Sequence, residues 1–278
     1  MSDSDRLKSD RIEAALEEAL AGGSTRVLFE LLDRASGMPG PRPRIEVLTA
    51  FGARIASLGA PGRELEEALF AAGKASLFYV AIMSLAARAS KKGEKTALKA
   101  LVDLGDETVK ERRDAVIEGL ALALAARGDE AARLVAPHAD GYLHAFVALE
   151  ALTKNRVLEK LSEAASVLDL LGDAFLRADE APRSSDRTQG LRLLRQGFPA
   201  QIARAAVRFP EAVDFVRERA AWQRPDTREV IAETIDKLRK VLGEAEADRL
   251  RGALNDSAPV PRYAARIVQG TRKRSRGR

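Results

Sequence analysis

The chain has 278 residues, 46% hydrophobic and 31% charged, with no cysteine and a formal net charge of +5. That balance excludes a wholly disordered chain, and the missing cysteine excludes disulfides, thiolate catalysis and Cys-ligated zinc. The charge is unevenly placed: residues 258–278 hold seven basic residues and no acid, and removing those seven charges from +5 leaves residues 1–257 at −2.

Taken in order, the chain reads as helix after helix. The start, MSDSDRLKSDRIEAALEEAL, is polar and acidic and lacks the apolar core of a secretory signal, so a soluble, cytoplasmic protein is expected. A first helix is predicted over 9–21 and a second over 25–36, where Ser24 follows Gly22-Gly23 and is placed to accept backbone N–H groups as an N-cap. The loop SGMPGPRP at 36–43 precedes helices over 42–58, 63–72, 76–90, 94–104, 108–127, 130–137, 141–154 and 156–178. The densest apolar run, FYVAIMSLAA at 78–87, is far too short to cross a bilayer.

The stretch ADEAPRSSDRTQG at 178–190 reads as a long loop or a hinge between two halves. Helices over 186–196, 198–208, 210–221, 227–242 and 244–255 follow, then a short one over 261–269 and a basic, disordered tail. No stretch alternates with the period-2 pattern of a strand. Gly37, Gly59, Gly93, Gly128 and Gly243 each follow an apolar-periodic run and are expected to end a helix in a left-handed conformation. Pro41, Pro61, Pro210 and Pro261 sit where helices begin and a missing N–H is harmless.

The punctuation repeats. Gly59, Gly93 and Gly128 stand 34 and 35 residues apart, and each interval holds a second, shorter amphipathic helix. Two helices per such unit is the pattern of stacked helical hairpins, none of which can bury its apolar face alone. In WQRPDTREVIAETIDKL at 222–238, Pro225 and Asp226 precede Arg228, and Ile231, Ala232, Ile235 and Leu238 fall on one helix face. Asp226 and Glu229 also form a capping-box pattern. Arg113 has the same offsets to Val116, Ile117, Leu120 and Ala123.

This resembles the second helix of a HEAT repeat, in which a Pro-Asp turn and an Arg precede such a stripe. The resemblance covers two or three units well and the others loosely. It implies an all-α, right-handed α-α superhelix, a HEAT-like solenoid of about six or seven stacked hairpins over residues 1–257, with 258–278 as the short helix and tail. HEAT-like DNA glycosylases of the alkylpurine type use concave-face aromatics and a nearby carboxylate to stabilise a cationic sugar. By that resemblance Trp222 and Asp226 are the candidate catalytic fragment. Against it, Pro225 separates the two, Asp226 has a capping role, and Trp222 is the only tryptophan.

Other candidates are weighed on their own chemistry. His138 and His144 stand six residues apart and are too few for a metal site, which needs three or more converging ligands. No GxSxG, Walker A or GxGxxG motif occurs. Glu17-Glu18 and Glu66-Glu67 read as solvated acids on polar helix faces. Arg183, Arg187, Arg192, Arg195, Arg204 and Arg208 share a segment whose one acid is Asp186. Among these, Arg192, Arg195, Arg204 and Arg208 form either a basic ridge for an acidic partner or dispersed arginines paired with acids of adjacent repeats. The tail residues Arg272, Lys273, Arg274, Arg276 and Arg278 are either a phosphate anchor or a solubilising end.

The expectation is a non-enzymatic scaffold for a macromolecular partner, an acidic protein or a nucleic acid, DNA before RNA. A nucleic-acid-binding module and a glycosylase of alkylated DNA are the alternatives. No cofactor, metal, membrane or small-molecule substrate is expected.

Overall fold

In the computed structural model, residues 3–38, 40, 43–220 and 225–257 are described, with the side chains of 3–9 and 225–226 outside that description. All regular structure among them is helical. The helices are α1 (Asp3–Leu20), α2 (Thr25–Ser36), α3 (Ile45–Ala56), α4 (Ala60–Ala71), α5 (Ala75–Ala89), α6 (Lys95–Asp103), α7 (Lys110–Arg127) and α8 (Asp129–Val135). They continue as α9 (Tyr142–Leu152), α10 (Asn155–Leu158), α11 (Ala165–Asp179), α12 (Gln189–Arg208), α13 (Glu211–Arg219), α14 (Pro225–Leu242) and α15 (Glu244–Asp256). No helix among the described residues is long and apolar enough to cross a membrane.

The helices alternate between two layers. One layer is the succession α3, α5, α7, α9, α12, α14, each packed on the next. The other holds α4, α6, α8, α11, α13 and α15, each against one or both of its sequence neighbours in the first. The apolar stripes face inward between them: Val116, Leu120 and Ala123 on α7 and Ile231, Ile235 and Leu238 on α14 are wholly buried. Close approach within the first layer depends on missing side chains. A Cβ on Gly52 of α3 would lie 2.4 Å from the Met83 Cβ on α5, and one on Gly119 of α7 would lie 2.6 Å from Ile82 Cγ2.

Polar bonds tie each hairpin to the next. Lys74 Nζ donates to Asp33 Oδ2 at 2.6 Å, Arg112 donates to the Gly73 carbonyl at 2.7 Å, and Arg177 donates to the Ala139 carbonyl at 2.8 Å. Arg127 is sheathed in protein and donates to the Ala89 carbonyl at 2.9 Å, the Glu94 carbonyl at 3.3 Å and Glu130 at 2.8 Å. The Ala89 carbonyl, at the end of α5 where no partner exists within the helix, is thereby satisfied.

Most expected boundaries hold to within a few residues. Gly37, Gly59, Gly93, Gly128 and Gly243 all take positive φ, between 59° and 87°, and Ser24 caps α2 by accepting from the Arg26 amide. Four expectations are corrected. The helix expected over 156–178 is broken: the Asp129 carboxylate captures the Ser162 amide and hydroxyl, at 3.1 and 2.5 Å, holding the chain between α10 and α11 out of helix. The two helices expected over 186–196 and 198–208 are one, because α12 runs through the buried Pro199 while packed between α9 and α14. Glu66 is not solvated: it is buried and paired with Arg88 at 2.5 Å. Asp226 lies within the first turn of α14 rather than ahead of it. The 261–269 helix and the tail fall outside the described residues.

Candidate functional site

A groove of about 600 Å³ is lined by residues of four successive first-layer helices. Ile45 of α3 and Tyr79 of α5 form one side with Met38 and Pro43 from the preceding loop. On either side of that loop the Arg44 amide donates to the Ser36 carbonyl at 2.7 Å, and the Met38 amide to Ser36 Oγ at 2.9 Å. The floor and far side come from α7, where Lys110, Asp114 and Glu118 recur every four residues and so project from one helix face, with Glu111 and Ile117 beside them. Glu150 of α9 and Lys154 just beyond it close the inner end.

The charges are arranged in pairs that thin out toward the mouth. At the inner end Glu118 is held by Lys154 and by Arg156 Nη2 at 2.5 Å. Burial would raise its carboxyl, but those two cations outweigh burial and hold it below the usual range. Glu150 accepts from Gln201 Nε2 at 3.0 Å and pairs with Arg204 at 2.9 Å. Toward the mouth, Asp114 pairs with the exposed Lys110 at 2.7 Å. Glu111 is exposed and makes no side-chain hydrogen bond or ion pair among the described residues.

Tyr79 is the anomaly. The residue is 3% exposed, yet its hydroxyl finds no hydrogen-bond partner among the described residues. Burial, and then the Glu118 charge, push the phenol well above its ordinary value, so it is a neutral donor throughout the physiological range.

The arginines singled out from the sequence are spread apart by α12. Arg195 turns toward α11, donating to Asp186 at 3.1 Å and the Ala178 carbonyl at 3.0 Å. Arg204 turns the other way, to Glu150 and Thr153. Arg208 bonds the Leu161 carbonyl at 3.2 Å and lies over the Phe209 ring, while Arg192 is exposed. These contacts bind α12 to its neighbours. The acids of the next helix, α13, are used elsewhere, Asp214 by Arg217 and Glu218 by Arg219. Trp222, Arg272, Lys273, Arg274, Arg276 and Arg278 lie outside the described residues, as does the Asp226 side chain.

His138 is exposed in a short turn after α8, and His144 sits on α9 with Nε2 3.3 Å from the Asp103 carbonyl oxygen. No group of three or more candidate metal ligands converges among the described residues. The sequence reading missed the groove. Its one sequence signal was the 110, 114, 118 polar stripe opposite the apolar stripe of α7, and nothing local says that α3, α5 and α9 bring Tyr79 and Glu150 to it. Compared with known proteins, the chain matches no family model, no curated sequence and no solved structure.

Proposed function

We propose that the chain is a HEAT-like scaffold, a right-handed superhelix of stacked hairpins that binds a protein partner without catalysis, and that the groove over α3, α5, α7 and α9 is its working face. The stacking is supported by bonds joining residues about one hairpin apart, such as Lys74 to Asp33 and Lys154 to Glu118, 41 and 36 residues apart in sequence. In a solenoid each unit touches its neighbours and little else.

The function rests on one observation: a groove of about 600 Å³ that combines an apolar wall with an ordered charged wall, drawn from four successive units. Such a surface can accept apolar anchors along one side and polar groups along the other. The expectation of an acidic partner rested on arginines of α12 that pack against α9 and α11, and on a tail outside the described residues. The outer acids of the groove, Glu111 and Asp114, with Lys110 as their one neighbouring cation in its lining, favour a partner of the opposite sign.

The test is an affinity pull-down of the full chain from its own cells, with quantitative readout of associated proteins, comparing Ile45→Arg with Val207→Arg. Ile45 lines the groove, while Val207 is 78% exposed on α12. A partner lost with Ile45→Arg and kept with Val207→Arg supports the assignment. A partner insensitive to Ile45→Arg moves the working face elsewhere.

A further inference from the structure

We infer that the occupant of the groove is an extended peptide segment bearing a lysine or arginine anchor, seated with its cation between Glu111 and Asp114 and a main-chain carbonyl over Tyr79. This rests on the scaffold assignment and adds the chemistry of the ligand.

Charge decides the anchor. The groove lining holds four carboxylates, Glu111, Asp114, Glu118 and Glu150, against two ammonium groups, Lys110 and Lys154. At the inner end Lys154, Arg156 and Arg204 outnumber Glu118 and Glu150 by one charge, so that end offers a cation no attraction. At the mouth the balance is the reverse. Glu111 is unpaired among the described residues, and Asp114 is tied only to Lys110 one turn away, with both side chains largely in water. An i,i+4 pair of that exposure is weak, so an incoming guanidinium displaces it at little cost. A planar guanidinium can bridge two carboxylates a turn apart on one helix face.

Tyr79 decides the backbone contact. Its hydroxyl is buried, neutral and without a partner among the described residues, and an O–H donor so placed wants an acceptor. The carboxylates nearest in its electrostatic environment, Glu118 and Asp114, are held by Lys154, Arg156 and Lys110. A peptide carbonyl settling beside Ile45 and Ile117 supplies the acceptor without burying a second charge. The apolar wall of Met38, Pro43 and Ile45 then takes the side chain next to the anchor.

The experiment is fluorescence anisotropy of the full chain with three labelled peptides of one length, alternating leucine with arginine, serine or glutamate. The arginine peptide is expected to bind at least about tenfold tighter than the glutamate peptide, the equivalent of about 1.4 kcal/mol. The double change Glu111→Gln with Asp114→Asn is expected to weaken it about tenfold, against no change for Val207→Ser. Tyr79→Phe is the more telling variant, because removing an unpartnered buried hydroxyl leaves the free protein as stable or more so while weakening the peptide several-fold. Unchanged peptide binding in Tyr79→Phe would overturn the carbonyl contact, as would a loss of stability, which would mean that the hydroxyl already has a partner.

If the glutamate or serine peptide binds as tightly as the arginine peptide, and binding still falls with Ile45→Arg, the basic anchor is wrong and the scaffold assignment stands. If binding of every peptide ignores all the groove substitutions, the inference is overturned, and the pull-down comparison of Ile45→Arg with Val207→Arg separately decides the scaffold.

Discussion

Gly52 of α3 and Met83 of α5 meet so closely that a methyl group on Gly52 would stand 2.4 Å from the Met83 Cβ and 2.7 Å from its carbonyl carbon. The contact sets the spacing of the first two helices that carry the groove. Replacing Gly52 by Ala forces the helices apart, and overpacking of this kind costs about 1–3 kcal/mol. For a chain of this size that lowers Tm by about 2–4 °C for each kcal/mol. At Gly172 of α11 a methyl group would meet nothing within 4 Å, so Gly172→Ala should instead stabilise, by about 0.5–1 kcal/mol. Opposite signs in scanning calorimetry are expected; a Gly52→Ala protein melting with or above the parent would contradict the close approach.

Arg127 should be among the most costly side chains to remove. Its guanidinium is wholly covered and serves two carbonyls, of Ala89 and Glu94, between α5 and α6 as well as Glu130. Arg127→Met strands those carbonyls, at an expected cost of about 3 kcal/mol. Arg127→Lys keeps the charge but not the fork and should recover only part of it. Urea midpoints of the three proteins order this series, and equal midpoints for all three would refute the assigned role.

Glu118 makes stability depend on acid. Its folded carboxyl is held below the ordinary value of 4.5, so its contribution is fully present above that value and is lost as pH falls through the lower folded value. Glu118→Gln should therefore cost about 1 kcal/mol at neutral pH, the partly exposed site keeping it near the upper end of surface pairs. The difference should close as the medium is acidified well below 4.5. Denaturation curves at neutral pH and at acid pH check this, and a gap that widens on acidification would reverse the sign.

Asp129 breaks what the sequence reads as one helix. It accepts the Ser162 amide and the Glu163 amide, at 3.1 and 3.4 Å, along with the Ser162 hydroxyl. Burial opposes its charge, but the Ser162 bonds dominate and hold its carboxyl low. Asp129→Ala should cost about 1 kcal/mol, as loss of a capping side chain does. Amide exchange at Ser162 and Glu163 should accelerate in the same variant. Unchanged exchange there would show that the break has another cause.

Those residues also mark how far the sequence could be read. Helix ends at glycine and the stripes of α7 and α14 were legible because they are local: a left-handed residue and a 3.6-residue period need no partner to be recognised. The break before α11 was not legible, since it depends on a carboxylate 33 residues upstream. Nor was the continuity of α12, where packing against α9 and α14 carries the helix past Pro199. The α12 arginines illustrate the same limit. Their composition suggested one basic ridge, but Arg195 and Arg204 bond to different helices, a division that only the stacking of α9, α11 and α12 creates. Tyr79 gave no signal at all, because an unpartnered hydroxyl is a property of its surroundings.

The most direct measurement of the groove's role is site-specific photo-crosslinking in the native cells, with a photoreactive phenylalanine analogue placed at Ile45 in one protein and at Val207 in another. A groove that holds a protein partner gives a discrete adduct from position 45, absent from position 207 and suppressed when Glu111→Gln and Asp114→Asn are added. Adducts at 207 with none at 45 would contradict it.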